Sequence, residues 1–234
     1  KQTEARVLTL LQRQTQIAAF GRELADTRDL TTLFRISQRT LKRMWAPIFF
    51  AAALLDAEKQ SLRVVYANLE DVELDPNIYP IFDMADRHPE SICVRTIQER
   101  KPIIITDLAE LQSTLAASPV SGRQDIRSAC CLPMLANDQV IGLIELQSPQ
   151  ENAYLPEDLE WLSTIANQIG LNIQNAMYFA EIQQKVDELS TLAVIDSAVI
   201  THLEPEKTFA LILKQVTTGL KVDAAVLLLF DPKS

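Results

Sequence analysis

The chain has 234 residues and a formal net charge of −9, because 31 Asp and Glu outnumber 22 Lys and Arg. This acidic balance argues against binding to nucleic acids and to anionic membranes, which need a basic footprint. The spacing of the five glycines excludes GxGxxG and Walker-type phosphate loops, and the positions of the two histidines exclude a HExxH zinc site.

The predicted elements begin with two helices. Apolar residues at three- to four-residue spacing predict a first helix over Glu4–Asp26, in which Leu10, Ile17 and Leu24 recur every seven residues. Asp29 is expected to cap a second helix. The apolar face of this second helix carries Leu33, Ile36, Leu41 and Met44.

The hydrophobic period then changes to one that is typical of strands. It predicts two β-hairpins, which pair Pro47–Asp56 with Leu62–Ala67 and Ser128–Leu135 with Val140–Leu146. Between the hairpins, the pattern predicts a short helix over Ser91–Arg100 and a buried strand over Pro102–Thr106. Residues 69–90 and residues 107–126 are predicted to be irregular. The last strand is apolar on both faces except at Glu145, so we expect a central strand covered on both sides.

A long helix follows, from Glu157 to about Ile200. At ~1.5 Å per residue it measures roughly 60 Å, so its later half should leave the domain that its first half covers. The order of elements predicts an α+β domain around a central, mostly antiparallel sheet, with flanking helices and long N- and C-terminal helices.

The last part of the chain repeats an earlier pattern. The apolar pattern of Ile17–Asp56 recurs in Leu192–Asp231 at an offset of 175 residues, which superposes Asp231 on Asp56. Chance recurrence of a helix followed by a strand is the alternative, but Asp223–Leu229 has the composition of a buried strand. We therefore predict a sensor domain over residues 1–180, a connecting helix over 181–200 and the truncated start of a second copy over 192–234.

The sequence also bears on compartment and context. Three cysteines do not make a disulfide framework, so we expect a reducing, cytoplasmic setting. The longest apolar runs, Pro47–Leu55 and Ala224–Phe230, fall short of the ~20 residues that a membrane helix needs. The first residues carry neither an initiator Met nor a signal peptide, so we expect a piece of a longer protein.

Several motifs in this order resemble a GAF domain, a ligand-binding sensor module of bacterial signalling proteins. The resemblance covers residues 15–180 and rests on Ile97–Pro102, Ile105–Asp107, Arg127–Met134, Val140–Ser148 and Tyr154–Asp158. It implies a twisted sheet with terminal helices on one face and a small-molecule pocket on the other. It also implies a homodimer formed through those helices, which pass a signal to an output domain in the same full-length chain. Residues 192–231 resemble the opening of a second GAF copy.

The resemblance suggests which residues line the pocket but names neither a ligand nor a cofactor. The candidate pocket residues are Tyr66, Ile92, Thr96, Asp107, Arg127, Ser128, Cys130 and Leu132. Strand alternation places Ser128, Cys130 and Leu132 on one face. Ligand binding is expected to close residues 69–90 and 107–126 over the sheet and so to bias the packing of the terminal helices.

Specific ligands of the family fit the sequence poorly. Cyclic-nucleotide-binding members carry Asn-Lys, then Phe, then Asp-Glu. This sequence has Gln147-Ser148 at the first position, Tyr154 at the second and Asp158-Leu159 at the third, so only Asp158 matches. No cysteine is followed by His, as covalent bilin binding usually requires, and an axial haem ligand would have to be His88.

The polar side chains of the sequence also suggest candidate thiol, metal and anion sites. The alternative function is a thiol or redox enzyme of GAF fold using Cys93, Cys130 or Cys131, although their separations differ from those of free methionine sulfoxide reductases. The adjacent cysteines point to opposite faces of a strand, which favours packing over metal binding. A metal site of Cys93, His88 and nearby acids has irregular spacing, so no metal is predicted. An anion site of Arg95, Arg123 and Arg127 is less favoured than a solvated surface.

The long helix supplies the predicted relay. Ile165, Ile169 and Ile173 repeat at four residues, whereas Phe179, Ile182, Val186 and Leu189 repeat on a shifted phase, as a coiled-coil stutter would produce. Two successive packing faces, one for each domain, are the alternative. With Leu10, Ile17 and Leu24, the shifted series is the predicted dimer and relay surface. We expect a sensory or dimerisation module and not an enzyme.

Overall fold

The structure is a computed structural model that describes residues 2–84, 91–106, 125–200, 205–220 and 222–228. The chain forms two compact units, residues 1–176 and residues 177–234. Asp107, a predicted pocket residue, lies outside the described residues, as does most of the predicted 107–126 loop. Arg123 and His88, which belong to the less favoured anion and metal sites, also lie outside them.

The first unit opens with two helices, α1 (Gln2–Ala25) and α2 (Leu30–Trp45). The predicted cap of α2 is confirmed, because Asp29 Oδ2 accepts a hydrogen bond from the Thr32 backbone N–H at 2.7 Å. Such a cap satisfies one of the donors that a helix start leaves unpaired. The α2 helix ends at Ala46, whose left-handed φ of 48° stops the helical path.

The centre of the first unit is a seven-stranded antiparallel sheet. Its strands are β1 (Phe49–Asp56), β2 (Ser61–Leu69), β3 (Val72–Leu74), β4 (Phe82–Asp83), β5 (Ile103–Ile105), β6 (Ser128–Ala136) and β7 (Gln139–Ser148). The spatial order is β3-β2-β1-β7-β6-β5, and β4 pairs with β2. Both predicted hairpins are confirmed as β1–β2 and β6–β7. The strand that carries Glu145 is central, as predicted, since it lies between β1 and β6.

Each face of the sheet has its own apolar core. One face, here the helix face, packs side chains such as Phe50, Leu132 and Ile144 against residues of α1, α2 and the long helix α4 (Leu159–Ile200). The other face, here the α3 face, buries Ala51, Ala129 and Cys131 together with Ile92 and Ile97 of α3 (Ile92–Glu99). Strand alternation sends neighbouring residues to opposite cores.

The long helix packs on the sheet only along its first turns. Ile165, Ile169 and Ile173 are buried in the helix face. Gly170 permits a close approach, because a Cβ built there would lie 2.9 Å from the Leu135 carbonyl oxygen. In the second unit, the apolar side chains of the helix are exposed, namely Phe179, Ile182, Val186, Leu189 and Leu192.

The end of the second unit differs from the prediction. The helix α5 (Pro205–Leu220) occupies a helical position of the proposed repeat, but residues 222–228 form no strand. Val226 and Leu228 are 81% and 90% exposed instead of buried. A strand is held by hydrogen bonds to a neighbouring strand, and the described residues of the second unit include none.

None of the helices in the described residues is both long and apolar enough to span a membrane.

Candidate functional site

A carboxyl group lies at the centre of the α3 face. Glu145 occupies the middle of β7, and its register partners are Ala51 on β1 and Cys131 on β6. It is only 2% exposed. Charged groups are rarely buried without a compensating partner. Glu145 is therefore the most unusual residue of this core.

Two side chains donate hydrogen bonds to this carboxyl group. Gln147 Nε2 donates to Oε1 at 2.7 Å, and Cys93 Sγ, from the first turn of α3, donates to Oε2 at 3.9 Å. Burial raises the pKa of Glu145, and the two hydrogen bonds oppose that rise. Burial also raises the pKa of Tyr79, and the negative charge of Glu145 raises it further. The last effect places the tyrosine within electrostatic reach of the carboxyl group.

A second polar group in this core has no partner. Thr96 follows Cys93 by three residues on α3, so the two side chains lie on the same side of the helix. Thr96 is fully buried, and its hydroxyl makes no hydrogen bond among the described residues. Leaving a buried hydroxyl unpaired costs about 1–3 kcal/mol. A ligand that pairs with this hydroxyl would recover that energy.

The sheet surface around Glu145 is built from small side chains. Ala51 and Ala53 of β1 and Ala129 and Cys131 of β6 flank the strand that carries the carboxyl group. Small residues leave the backbone of the sheet close to whatever covers it. The arrangement places one polar group among small, mostly apolar side chains, which is a composition typical of small-molecule sites.

The structure divides the predicted pocket residues between the two faces. Ile92 lies in the core of the α3 face, and Thr96 is buried on the same side of α3 as Cys93, which contacts Glu145. Tyr66, Cys130 and Leu132 lie in the core of the helix face. Tyr66 packs there on the rings of Phe34 and Phe50, at centroid distances of 5.9 and 5.7 Å.

The remaining two described candidates lie where β6 begins. Ser128 is buried and donates a hydrogen bond to the Gln150 carbonyl at 2.8 Å. Arg127 is exposed, and its backbone N–H bonds the Ser148 carbonyl. Ser128, Cys130 and Leu132 do share a face, but that face is the one covered by α1, α2 and α4.

Sequence reasoning did not place Glu145, Gln147 and Tyr79 in the site. One signal was available, because Glu145 is the single charged residue in an otherwise apolar strand. The side chain of Gln147 joins it because residues two apart on a strand share a face.

The three cysteines occupy different surroundings. Cys130 is fully buried in the helix face, and burial raises the pKa of its thiol far above the usual range. Cys131 is buried on the α3 face, and Cys93 is half-buried beside Glu145. All three are free thiols. The described residues contain no group of three or more His, Cys, Asp or Glu side chains that could hold a metal ion.

The positions compared with cyclic-nucleotide-binding relatives have structural roles here. Asp158 accepts a hydrogen bond from the Leu155 backbone N–H at 3.1 Å, at the turn that starts α4. Tyr154 is fully buried in the helix face. Neither side chain lies in the core that contains Glu145.

The fold agrees with a comparison of sequences. Residues 27–174 match the GAF domain profile (GAF_2), and the chain therefore belongs to the GAF-domain family. Over 112 residues the chain is 27% identical to the formate hydrogenlyase transcriptional activator FhlA of Escherichia coli K12. The match includes 44% of this chain and only 16% of that relative.

Solved structures show the same fold. The GAF domain of a phosphoenolpyruvate-protein phosphotransferase (ptsP) from Coxiella burnetii aligns with a TM-score of 0.57 and 12% identity, over 72% of this chain and 96% of that one. A free methionine-R-sulfoxide reductase from Neisseria meningitidis, in complex with its substrate, aligns with a TM-score of 0.54 and 14% identity, over 71% and 90%. At such identities the similarity concerns the fold alone.

Proposed function

We propose that this GAF domain is the cytoplasmic sensory module of a larger bacterial signalling protein, and that it is not an enzyme. It binds a small molecule against the α3 face of the sheet, at Glu145. The observation that carries the proposal is the buried Glu145 carboxyl group, which accepts hydrogen bonds from Gln147 and Cys93. Perturbed, buried titratable groups are concentrated at functional sites.

The relatives support a regulatory setting. FhlA is named as a transcriptional activator, and this chain spans 16% of its length. A module of this size within a much longer regulator is expected to act on a neighbouring output domain of the same chain. A ligand that binds one conformation better than another shifts the balance between them, which is the signal such a module can pass on.

The second unit offers a route for the signal. Phe179, Ile182, Val186 and Leu189 are exposed on α4 and recur at intervals of three, four and three residues. This spacing is the seam of a two-stranded coiled coil. We therefore expect the chain to form a homodimer through this seam. The earlier series Leu10, Ile17 and Leu24 was predicted to belong to the same surface, but the side chain of Leu10 lies outside the described residues. Leu24 itself is fully buried, and Ile17 is partly buried against the same core.

Native mass spectrometry of freshly purified protein tests the sensory proposal. We expect a dimer that carries a reproducible extra mass per chain, which identifies the ligand by weight. Extensive dialysis should remove that mass from a part of the molecules. A dimer that never carries added mass, even after incubation with cell extract, would contradict ligand sensing and would favour a purely structural dimerisation module.

Changing Ile182 and Val186 to Asp together should abolish the dimer. Two carboxylates in an apolar seam lose their hydration without gaining a partner. The measurement is the mass in solution by light scattering, with circular dichroism to show that the fold is retained. The matched control is Gln184→Asp with Thr191→Asp, which adds the same charge on the opposite side of the helix. An unchanged dimer in the first variant would exclude this seam.

A thiol enzyme is the second candidate, because Cys93 and Cys131 both lie on the α3 face next to Glu145. A reactive thiol must ionise, and a neighbouring carboxylate disfavours the thiolate. We expect Cys93 to react slowly with iodoacetamide in the native protein, at a rate no greater than that of a free thiol. Rapid alkylation at neutral pH, located by peptide mass analysis, would favour the enzyme instead.

A further inference from the structure

We propose that the ligand of the Glu145 site is a small organic cation with N–H donors, such as an ammonium, amidinium or guanidinium group on a compact apolar body. The inference rests on the proposed function, because it names the chemical class that this sensory site recognises. It is carried by the geometry around the Glu145 carboxyl group.

The hydrogen bonds around Glu145 show which form of the carboxyl group the site is arranged to hold. Oε1 accepts from the Gln147 amide, and Oε2 accepts from the Cys93 thiol. A carboxyl group that carried a proton would need an acceptor for that proton. As the two side chains are oriented here, both contacts provide donors, an arrangement that suits an ionised carboxylate. Each oxygen retains a lone pair that a ligand N–H can use.

The charge of that carboxylate is uncompensated by the described part of the chain. None of the ion pairs among the described residues includes Glu145. Arg95, the basic residue of α3, pairs instead with Glu99 on the same helix, with Nε 3.5 Å from Oε1. A buried carboxylate without a counter-charge is strongly unfavourable. A bound cation supplies the counter-charge, whereas a bound anion would add repulsion.

The other groups of the site suit the same ligand. Tyr79 packs at the border of the α3-face core and lies within electrostatic reach of Glu145. The face of an aromatic ring attracts a cation. The Thr96 hydroxyl can accept a further N–H. Ala51 and Cys131, the register partners of Glu145, are small side chains, so β1 and β6 place little bulk beside the carboxylate.

The proposal makes affinity depend on pH. Among the described residues, the titratable groups that face Glu145 are Cys93 on α3, Cys131 on β6 and Tyr79, and none of these three side chains can carry a positive charge. The cation and a proton therefore compete for the same carboxylate. As pH increases towards the pKa of Glu145, the affinity for a permanent cation should increase about tenfold per pH unit. Above that pKa the affinity should no longer change with pH. A neutral ligand should show no such dependence.

Benzamidine and benzyl alcohol serve as the probes, since they share a ring and differ in charge. We expect benzamidine to shift the amide resonances of Cys93, Thr96 and Gln147 in nuclear magnetic resonance titrations, and benzyl alcohol to bind at least tenfold more weakly. Glu145→Gln should weaken benzamidine binding at least tenfold and leave benzyl alcohol unchanged. Glu99→Gln, which removes an exposed carboxyl group of α3, is the matched control and should bind benzamidine as the wild type does.

The outcomes separate this inference from the proposed function. If the ligand found by native mass spectrometry is an anion or an uncharged compound, the sensory function stands and the cation proposal is overturned. If neither probe shifts these resonances, the cation proposal is also overturned. The extra mass seen by native mass spectrometry then remains the test of the sensory function. If Glu145→Gln fails to fold, the pH dependence of benzamidine binding to the wild type gives the answer, and a flat profile overturns the proposal.

Discussion

Glu145 lowers the stability of the fold, because it buries a titratable side chain in the central strand β7, between β1 and β6. Burial raises its pKa, and only the hydrogen bonds from Gln147 and Cys93 oppose that effect. An apolar side chain at this position would pack without such a cost. The cost is understandable if the carboxyl group serves binding and not stability.

Glu145 should make the stability of the ligand-free protein fall as pH rises. The unfolded chain loses the proton of Glu145 near a pKa of about 4.3, whereas the folded protein keeps it to higher pH. Above about pH 4.3 the unfolded state is therefore favoured progressively, until the folded carboxyl group also ionises. Glu145→Gln lacks this loss and should gain stability relative to the wild type as pH rises.

Urea unfolding at a series of pH values measures this difference. Glu99→Gln is the control for loss of an exposed carboxyl group, and its unfolding midpoint should follow that of the wild type across the series. Parallel curves for Glu145→Gln and the wild type would show that Glu145 titrates alike in both states.

The sequence could predict which residues share a face, but not which face holds the site. Alternation grouped Ser128, Cys130 and Leu132 correctly, because residues two apart on a strand point the same way. The identity of each face is decided by α1, α2 and α4, which are distant along the chain. The two faces of β6 carry side chains of similar polarity, so the sequence does not indicate which face holds the pocket. For this reason the predicted pocket combines Tyr66 and Cys130, which lie on the helix face, with Thr96 of α3.

Among the elements, α4 shows how one position sets the fit of a helix on a sheet. Gly170 faces the backbone of Leu135, at the end of β6. Gly21 of α1 instead faces the end of a flexible side chain, since a Cβ there would lie 3.2 Å from Gln168 Nε2. The two glycines therefore differ in what an added methyl group would meet.

Gly170→Ala should destabilise the protein by about 1–3 kcal/mol, because the rigid backbone of Leu135 cannot move aside. Gly21→Ala should remain within about 1 kcal/mol of the wild type, since the gain in helix propensity offsets a small shift of Gln168. Urea unfolding of both variants measures the difference. Equal midpoints would be inconsistent with the close contact between α4 and the β6–β7 hairpin.

Element prediction succeeded where one period persisted over a whole segment. Both hairpins, α3 and the central position of β7 follow from the alternation and length of their apolar runs. Residues 222–228 have the same kind of composition and yet form no strand. The difference is physical, because strand formation depends on a partner that a local pattern does not contain.

At the scale of the whole first unit, the sheet lies between two apolar cores, and strand β7 contributes side chains to both. Neighbouring residues of β7 serve different sides: Glu145 faces α3, whereas Ile144 and Leu146 contact the core beneath α1, α2 and α4. A displacement of the Glu145 carboxyl group would therefore move a strand whose adjacent side chains pack in the same core as the long helix. Packed cores respond to such shifts by discrete rearrangement.

The outer strands of the sheet have a consequence for assembly. The two strands at the ends of the spatial order, β3 and β5, have three residues each. Short borders offer few free backbone N–H and C=O groups, so a second chain gains little by extending the sheet. Fibre-like stacking of folded molecules is disfavoured for the same reason. Extension of the sheet by a second chain is therefore an unfavourable route to self-association.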